Sequence, residues 1–355
     1  MRTVKAFLAL FCYFLVSGCS HEERIIDRIN IVQNMGVDIE GQTIKMSASY
    51  PSFVRASKEQ SVSAITAESN VMYGVFTALA AKSSQPVEMG QMRTLVVSEQ
   101  FAREAISELA DIINREFIKS SNATIVISRQ PANVVITDTT KKPPFYLSEL
   151  IEQNMKHGNT PRTNYHTFVN QFYGEGQDVY FPVIHMEQGL LKMDGVGVFK
   201  GEEFKLRLSG EEGLYLKFLK DKALTGEYDF MTAPKAMYSF YILHGKSSIA
   251  MAQSGKTAIS LQLTIALREV PSALNTEKEE DMQAIKKQIE ERLSSEMKKL
   301  LIRLQKNNVD PVGFGEQYRW RNRTFSEKEF YGTIYPKLDF DVKTTIKISN
   351  AGVGH

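Results

Sequence analysis

Between residues 257 and 348 three long amphipathic stretches follow one another, and each has only one face that it can leave in water. From 257 to 267 the odd positions carry Thr257, Ile259, Leu261, Leu263, Ile265 and Leu267, while the even ones carry Ala, Ser, Gln, Thr and Ala. From 338 to 348 the even positions carry Leu338, Phe340, Val342, Thr344, Ile346 and Ile348, against Asp, Asp, Lys, Thr and Lys. A period of two with one apolar face predicts a half-buried strand in each case. Between them, 276–308 sets Met282, Ile285, Ile289, Leu293, Met297, Leu300 and Leu304 at spacings of three and four. That is the stripe of a helix of about nine turns. Thr276 is the expected N-cap. Acids crowd the first turn (Glu277, Glu279, Glu280) and bases the last part (Lys298, Lys299, Arg303, Lys306), as the helix dipole favours. The three faces are buried together if the helix lies across one face of the sheet. A coiled-coil seam to a partner would use the same stripe, but the charges give no consistent e/g pattern, so packing within the chain is favoured.

Upstream the periods change. Runs 29–39 and 43–50, split by Glu40-Gly41, predict a hairpin, and 51–69, rich in Ser, Ala and Thr, predicts an exposed loop. Helices are expected over 70–82 and 99–119, with strands at 92–98 and 122–129. The stretch 130–222 is less regular, with a Pro-Pro break, a turn-rich GNTPRTNYHTF and a hairpin over 196–209 that turns at Lys200-Gly201. The expected fold class is α+β, or mixed α/β, in three successive domains, each a mixed or antiparallel sheet with helices. Their expected bounds are 19–136, 137–222 and 223–355, the last holding the long helix 276–308.

Residues 1–18 stand apart. Arg2 and Lys5 precede an apolar run from 6 to 16, and Ser17-Gly18 is a small-residue cleavage point, the pattern of a secretory signal peptide. The run is too short to span a bilayer, which takes roughly 20 apolar residues. Val16-Ser17-Gly18-Cys19 is similar to the bacterial lipobox, which implies a diacylglyceryl thioether and an N-palmitoyl group on Cys19 as the first residue of the mature chain. Removing the leader also removes Arg2 and Lys5, so 43 bases against 41 acids become 41 against 41. A formally neutral chain has no basic footprint for nucleic acid. Cys12 leaves with the leader and Cys19 is taken by lipid, so no internal disulfide is expected. No later apolar run approaches spanning length, and the folded body is expected to be soluble and held at a membrane by its lipid.

The motifs that carry chemistry are missing or weak. The six histidines, at 21, 157, 166, 185, 244 and 355, include no pair three or four apart, and no zinc site or other metal site is expected. There is no phosphate-binding GxxxxGK[ST] loop and no GxSxG, and GVGVFKG at 195–201 falls in a hairpin instead of opening a helix. Ser295 and Lys298 match SxxK on a solvated helix face, without the companion motifs of that class. Asp339 and Asp341 share a strand face with Lys343 and Lys347, which is more simply a solvated face than a catalytic pair. No catalytic residue and no cofactor are expected.

NNVDPVGFGEQYRW at 307–320 directly follows the long helix, and YPKLDFDVKTTIKISNAG closes the chain. Together they resemble the C-terminal signature of the Ger(x)C lipoproteins, the C subunits of nutrient germinant receptors in endospore-forming bacteria. The matching residues are Asp310, Gly313, Phe314, Gly315, the 338–348 strand and Gly352. INIVQNMGVDIEGQTIKMSASY resembles the family's first hairpin, MRTLVVSEQFAREAISELADIINRE its strand and helix, and DGVGVFKGEEFKLRLSGEE its central hairpin. One departure is Ser20-His21-Glu22-Glu23-Arg24, where family members often have Trp-Asp-x-x-Glu. The resemblance implies a non-catalytic, lipid-anchored subunit on the outer face of the inner spore membrane. Its partners would be membrane subunits A and B, and nutrient would reach it only indirectly. Asp310, Gly313, Phe314 and Gly315 have two readings: a helix stop and tight turn, which is favoured, or a partner contact. The competing reading of the whole chain is a cell-envelope lipoprotein that binds a solute or acts as a hydrolase; a purely structural envelope lipoprotein is a third.

Overall fold

The computed structural model describes residues 28–53, 60–112, 122–233, 236–252, 255–322 and 324–349. The first run of the expected hairpin is divided. β1 (Asn30–Ile31) leaves the sheet to pair in parallel with a short strand further on, and β2 (Asn34–Glu40) pairs antiparallel with β3 (Thr43–Phe53) around Gly41. The expected loop over 51–69 is instead the end of β3 and a long edge strand, β4 (Gln60–Ser69), apart from 54–59, which lie outside the described residues. Its Ser, Thr and Ala side chains are small on both faces, and its buried Val62 and Ala67, five residues apart, lie on opposite faces, so no apolar stripe of period two marks the strand in the sequence.

Helix α1 (Met72–Lys82) leads to β5 (Val87–Glu88), the partner of β1, and then to β6 (Thr94–Ser98). The expected single helix from 99 is two, α2 (Glu99–Glu104) and α3 (Ile106–Ile112), broken where Ala105 turns out of helical geometry; residues 113–121 are outside the described set. β7 (Thr124–Ser128), α4 (Ala132–Thr139), α5 (Tyr146–His157) and α6 (Tyr165–Tyr173) follow. Next come β8 (Tyr180–Glu187) and the hairpin of β9 (Leu190–Lys200) and β10 (Glu203–Leu208).

All but β1 and β5 of these strands form one eight-stranded mixed sheet, ordered β10-β9-β8-β7-β6-β2-β3-β4. β2, β6, β7 and β8 run parallel at its centre and the flanks are antiparallel. The expected boundary at 136/137 therefore falls inside a continuous sheet, since Ile127 of β7 pairs with Val183 of β8.

Ser209 caps α7 (Gly210–Lys220) by a reciprocal box: its hydroxyl accepts from the Glu212 N–H and its own N–H donates to the Glu212 carboxylate. Residues 213–219 are all buried, because α7 lies between the large sheet and the C-terminal layer. The second sheet is β11 (Gly226–Ala233), β12 (Ala236–Met251), β13 (Lys256–Glu269) and β14 (Asp339–Ile348), with β14 parallel to β13. Mixed sheets with helices are the expected fold class, and the long helix, α8 (Glu279–Lys306), lies on this sheet as the alternation requires.

Ile285, Ile289, Leu293, Met297, Leu300 and Leu304 are buried against the odd positions of β13 and the even positions of β14. Each such side chain contributes on the order of 1.5–3 kcal/mol by leaving water. α8 also closes the free edge of β14: Ser294 accepts from the Thr344 N–H at 3.0 Å and Glu290 from the Ile346 N–H at 2.7 Å. The helix begins later than expected. Lys278, not Thr276, occupies the cap position, with no side-chain cap bond, while Asn275 and Asp281 close the preceding turn. After it come α9 (Phe314–Arg321) and a chain of short turns over 327–337 that leads into β14.

Candidate functional site

Asp310, Gly313, Phe314 and Gly315 come together in the turn between α8 and α9, where the chain meets the large sheet. Val309 to Gly315 are all buried, and Asp310 is 0% exposed. Asn308 (φ 52°) and Gly313 (φ 90°) take the left-handed conformations that stop α8 and start α9. One Asp310 oxygen accepts from the Gly313 N–H at 2.8 Å; the other accepts from the Gly315 N–H at 2.8 Å and the Tyr331 hydroxyl at 3.2 Å. Phe314 packs its ring on Tyr335 and Phe340, and the Tyr335 hydroxyl donates to the Val309 carbonyl at 2.7 Å.

The turn is bonded to a loop 132 residues earlier. The Asp310 N–H donates to the Asp178 carboxylate at 2.6 Å, and the Asp178 N–H donates to the Asp310 carbonyl at 2.9 Å. Lys200 reaches both Asp178 oxygens, at 3.2 and 3.3 Å, and its ammonium sits 3.5 Å from the centroid of the Tyr331 ring. The Glu316 N–H donates to the Gly176 carbonyl at 2.7 Å, and the Gly176 N–H to Glu327 at 2.6 Å. Gly176 (φ 93°) and Gly315 touch backbone to backbone: a Cβ on Gly315 would lie 2.8 Å from the Gly176 Cα.

Burial raises both carboxyls. Asp178 is pushed to about 6, with Lys200 pulling the other way, and Asp310 is raised against the pull of the N–H groups that it accepts from. Burial likewise lowers Lys220, which donates to the Val312 carbonyl at 3.2 Å and is held up in part by Asp310. The geometry is that of a fastener: carboxylates consumed by N–H, hydroxyl and ammonium donors, with no open face toward solvent at Asp310.

A second cluster, with buried tyrosines and an exposed carboxylate, joins α7, β11 and α8. Glu211 accepts from the Tyr215 hydroxyl at 2.6 Å, from Arg292 at 3.2 Å and from the Tyr228 hydroxyl at 3.3 Å. Burial pushes the Glu211 carboxyl up, but these bonds outweigh it and hold the group below its ordinary range, while burial pushes Tyr228 up to about 12. Beside it is a cavity of about 500 Å³ whose walls include Asn154, His157, Glu211, Glu227, Tyr228 and Asp229. Lys217, 1% exposed, ends α5 by donating to the Met155 and Gly158 carbonyls, both at 2.8 Å. Burial lowers its amine to about 8.

Cys19 and Gly352 lie outside the described residues. Ser295 and Lys298 are exposed on α8, and Asp339 and Asp341 on β14. Among the described residues there is no group of three metal-binding side chains, and no helix is long and apolar enough to cross a membrane. Asp178, Lys200, Gly176, Glu327 and Tyr331 are not marked in the sequence as members of this site. The only local signal was the glycine-flanked turn GEGQD, which does not reveal its partner.

Residues 22–186 match the family described as the spore germination protein N-terminal domain, and 194–352 the family described as spore germination B3/GerAC like, C-terminal. The spore germination protein GerQC of Bacillus cereus is 23% identical over 348 residues, covering 96% of each chain. YfkR of Bacillus subtilis (strain 168) is 22% identical over 379 residues, covering 98% of this chain and 97% of its own. The crystal structure of the GerBC protein superposes with a TM-score of 0.57 at 16% identity, covering 89% of this chain and 97% of that one, and so shares the fold.

Proposed function

Because this chain belongs to the Ger(x)C family of spore germination proteins, we propose that it is the lipid-anchored, non-catalytic C subunit of a nutrient germinant receptor. In this reading Cys19 carries the diacylglyceryl and palmitoyl groups and holds the body on the outer face of the inner spore membrane or of the cell membrane. Membrane subunits A and B are its partners, and nutrient acts on it only through them. The observation that carries the reading is the ordered match of both family regions along 22–186 and 194–352, directly behind the lipobox.

The Asp310 fastener adds a physical role. A body that relays a conformational change between partners must move as a unit, and bonds from the 176–178 loop to the 310–316 turn tie the large sheet to the C-terminal layer. We assign Asp310, Gly313, Phe314 and Gly315 to that internal tie, in preference to direct partner contact. Confinement by the anchor raises the effective concentration of the partners, so modest interfaces suffice.

Metabolic labelling with fatty acid tests the anchor. The wild-type chain should take up label and sediment with membranes, and Cys19→Ala should lose both while keeping its circular dichroism spectrum. Equal labelling of Cys19→Ala would refute the anchor. The cavity beside Glu211 favours a second reading, an envelope protein that binds a small polar solute. Titration calorimetry of the purified chain against a panel of amino acids and sugars decides between them, since tight binding would support that reading over indirect sensing.

A further inference from the structure

The chain's one tryptophan, Trp320, is 82% exposed near the end of α9. Indole is large, apolar along its body and polar at its N–H, and such side chains concentrate at membrane–water interfaces. Arg319 and Arg321 beside it are also exposed, and the nearest carboxylate to Arg319, Glu175, is 3.9 Å away. The tip is held firmly. Phe314 is buried at the root of α9, Tyr318 packs on Phe325 and Phe330, and Arg321 donates to the Met251 carbonyl at 2.6 Å.

Strand register fixes which end of the molecule carries this tip. Val37, Val97, Ile127 and Val183 lie in one row across the four parallel strands. Three residues earlier, Asn34, Thr94, Thr124 and Tyr180 mark one end of the sheet. Gly176 and Asp178 lie just beyond Tyr180, and the chain enters the sheet at the same end through Asn30–Ile31. α9 is bonded to Gly176 through Glu316, and Trp320 follows one helical turn later, about 6 Å along the axis. The tip therefore shares the end of the sheet from which residue 28 leads back to Cys19. Residues 19–27 can span at most about 30 Å at roughly 3.3–3.6 Å each, so an anchored Cys19 keeps this end near the bilayer.

We propose that Trp320, with Arg319 and Arg321, is a second membrane contact, the indole seated at headgroup depth and the guanidinium groups on anionic phospholipid phosphates. The proposal rests on the reading that Cys19 carries lipid, and it adds an orientation to the anchored body. The test uses the full lipidated chain reconstituted in vesicles of phosphatidylcholine and phosphatidylglycerol with brominated acyl chains. Trp320 alone reports, so its emission needs no assignment. The expected result is a blue-shifted emission quenched several-fold by the bromines, with less quenching for Arg319→Glu. Flotation is read on the same sample. A chain that fails to float overturns the anchor and this contact together. A chain that floats with a water-exposed, unquenched indole overturns this contact alone and leaves the tip to a protein partner.

Discussion

Replacing Gly315 by alanine adds a methyl group where the Gly176 backbone already stands. The new Cβ would lie 2.8 Å from the Gly176 Cα, 2.8 Å from the Tyr331 hydroxyl and 2.9 Å from the Gly176 carbonyl oxygen. Carbon atoms prefer about 3.5–4.0 Å, so the two segments must part by close to an ångström. Gly176 has little freedom to yield, because it sits at φ 93° with its carbonyl on the Glu316 N–H and its own N–H on Glu327. Overpacking of this kind costs about 1–3 kcal/mol. Loss of the Glu316–Gly176 bond adds about 0.5–1.5 kcal/mol, and the better helix propensity of alanine returns about 0.5–1 kcal/mol. The net expectation is a loss of about 0.5–4 kcal/mol, centred near 2, a sizeable part of the 5–15 kcal/mol that holds a typical fold. Urea unfolding followed by far-ultraviolet circular dichroism measures it. Gly332→Ala is the control, because nothing lies within 4 Å of its Cβ and the residue is exposed, so its unfolding free energy should stay within about 0.5 kcal/mol of wild type. A Gly315→Ala chain as stable as wild type would refute the close approach and, with it, the fastener.

Asp178 makes stability depend on pH. Its folded pKa of about 6 lies above the ordinary 3.8, chiefly through burial, so the folded state holds the proton more tightly and this group's contribution falls as pH rises from about 4 through 6. Asp178→Asn should flatten that part of the profile in urea midpoints taken across the range, and parallel profiles for the two chains would contradict the assignment. Lys217→Met keeps the side-chain volume but leaves the carbonyls of Met155 and Gly158 without their donor. It should cost about 2–3 kcal/mol in the same assay, and an unchanged midpoint would show that water serves those carbonyls equally well.

The elements that stood out in the sequence are those with one wet face. β13 and β14 alternate because α8 covers one side of their sheet and solvent the other, and the α8 stripe is the complement of that face. β8 was hidden for the opposite reason: Tyr180, Phe181, Val183 and Ile184 are buried on both faces, and Pro182, which argues against a central strand, sits in a bulge against β9. β12 was hidden by a register shift between Ile242 and His244, which moves its more buried side chains from the even positions (Tyr238, Phe240, Ile242) to the odd ones. At the candidate site, the positive φ of Asn308 and Gly313 was legible from their place behind a long helix. The need for glycine at 315 was not, because it comes from Gly176, and no local pattern around Asp310 encodes a partner in another part of the chain.

A working part of a nutrient receptor is required for germination with the nutrients that receptor serves. The direct measurement is germination, nutrient by nutrient, of spores in which this gene is deleted from a strain whose only nutrient receptor contains it. The response to the nutrient or nutrients that receptor serves should be lost, restored by the wild-type gene and diminished with Cys19→Ala. Deletion spores that germinate normally with every nutrient would overturn the assignment of this chain to a nutrient receptor.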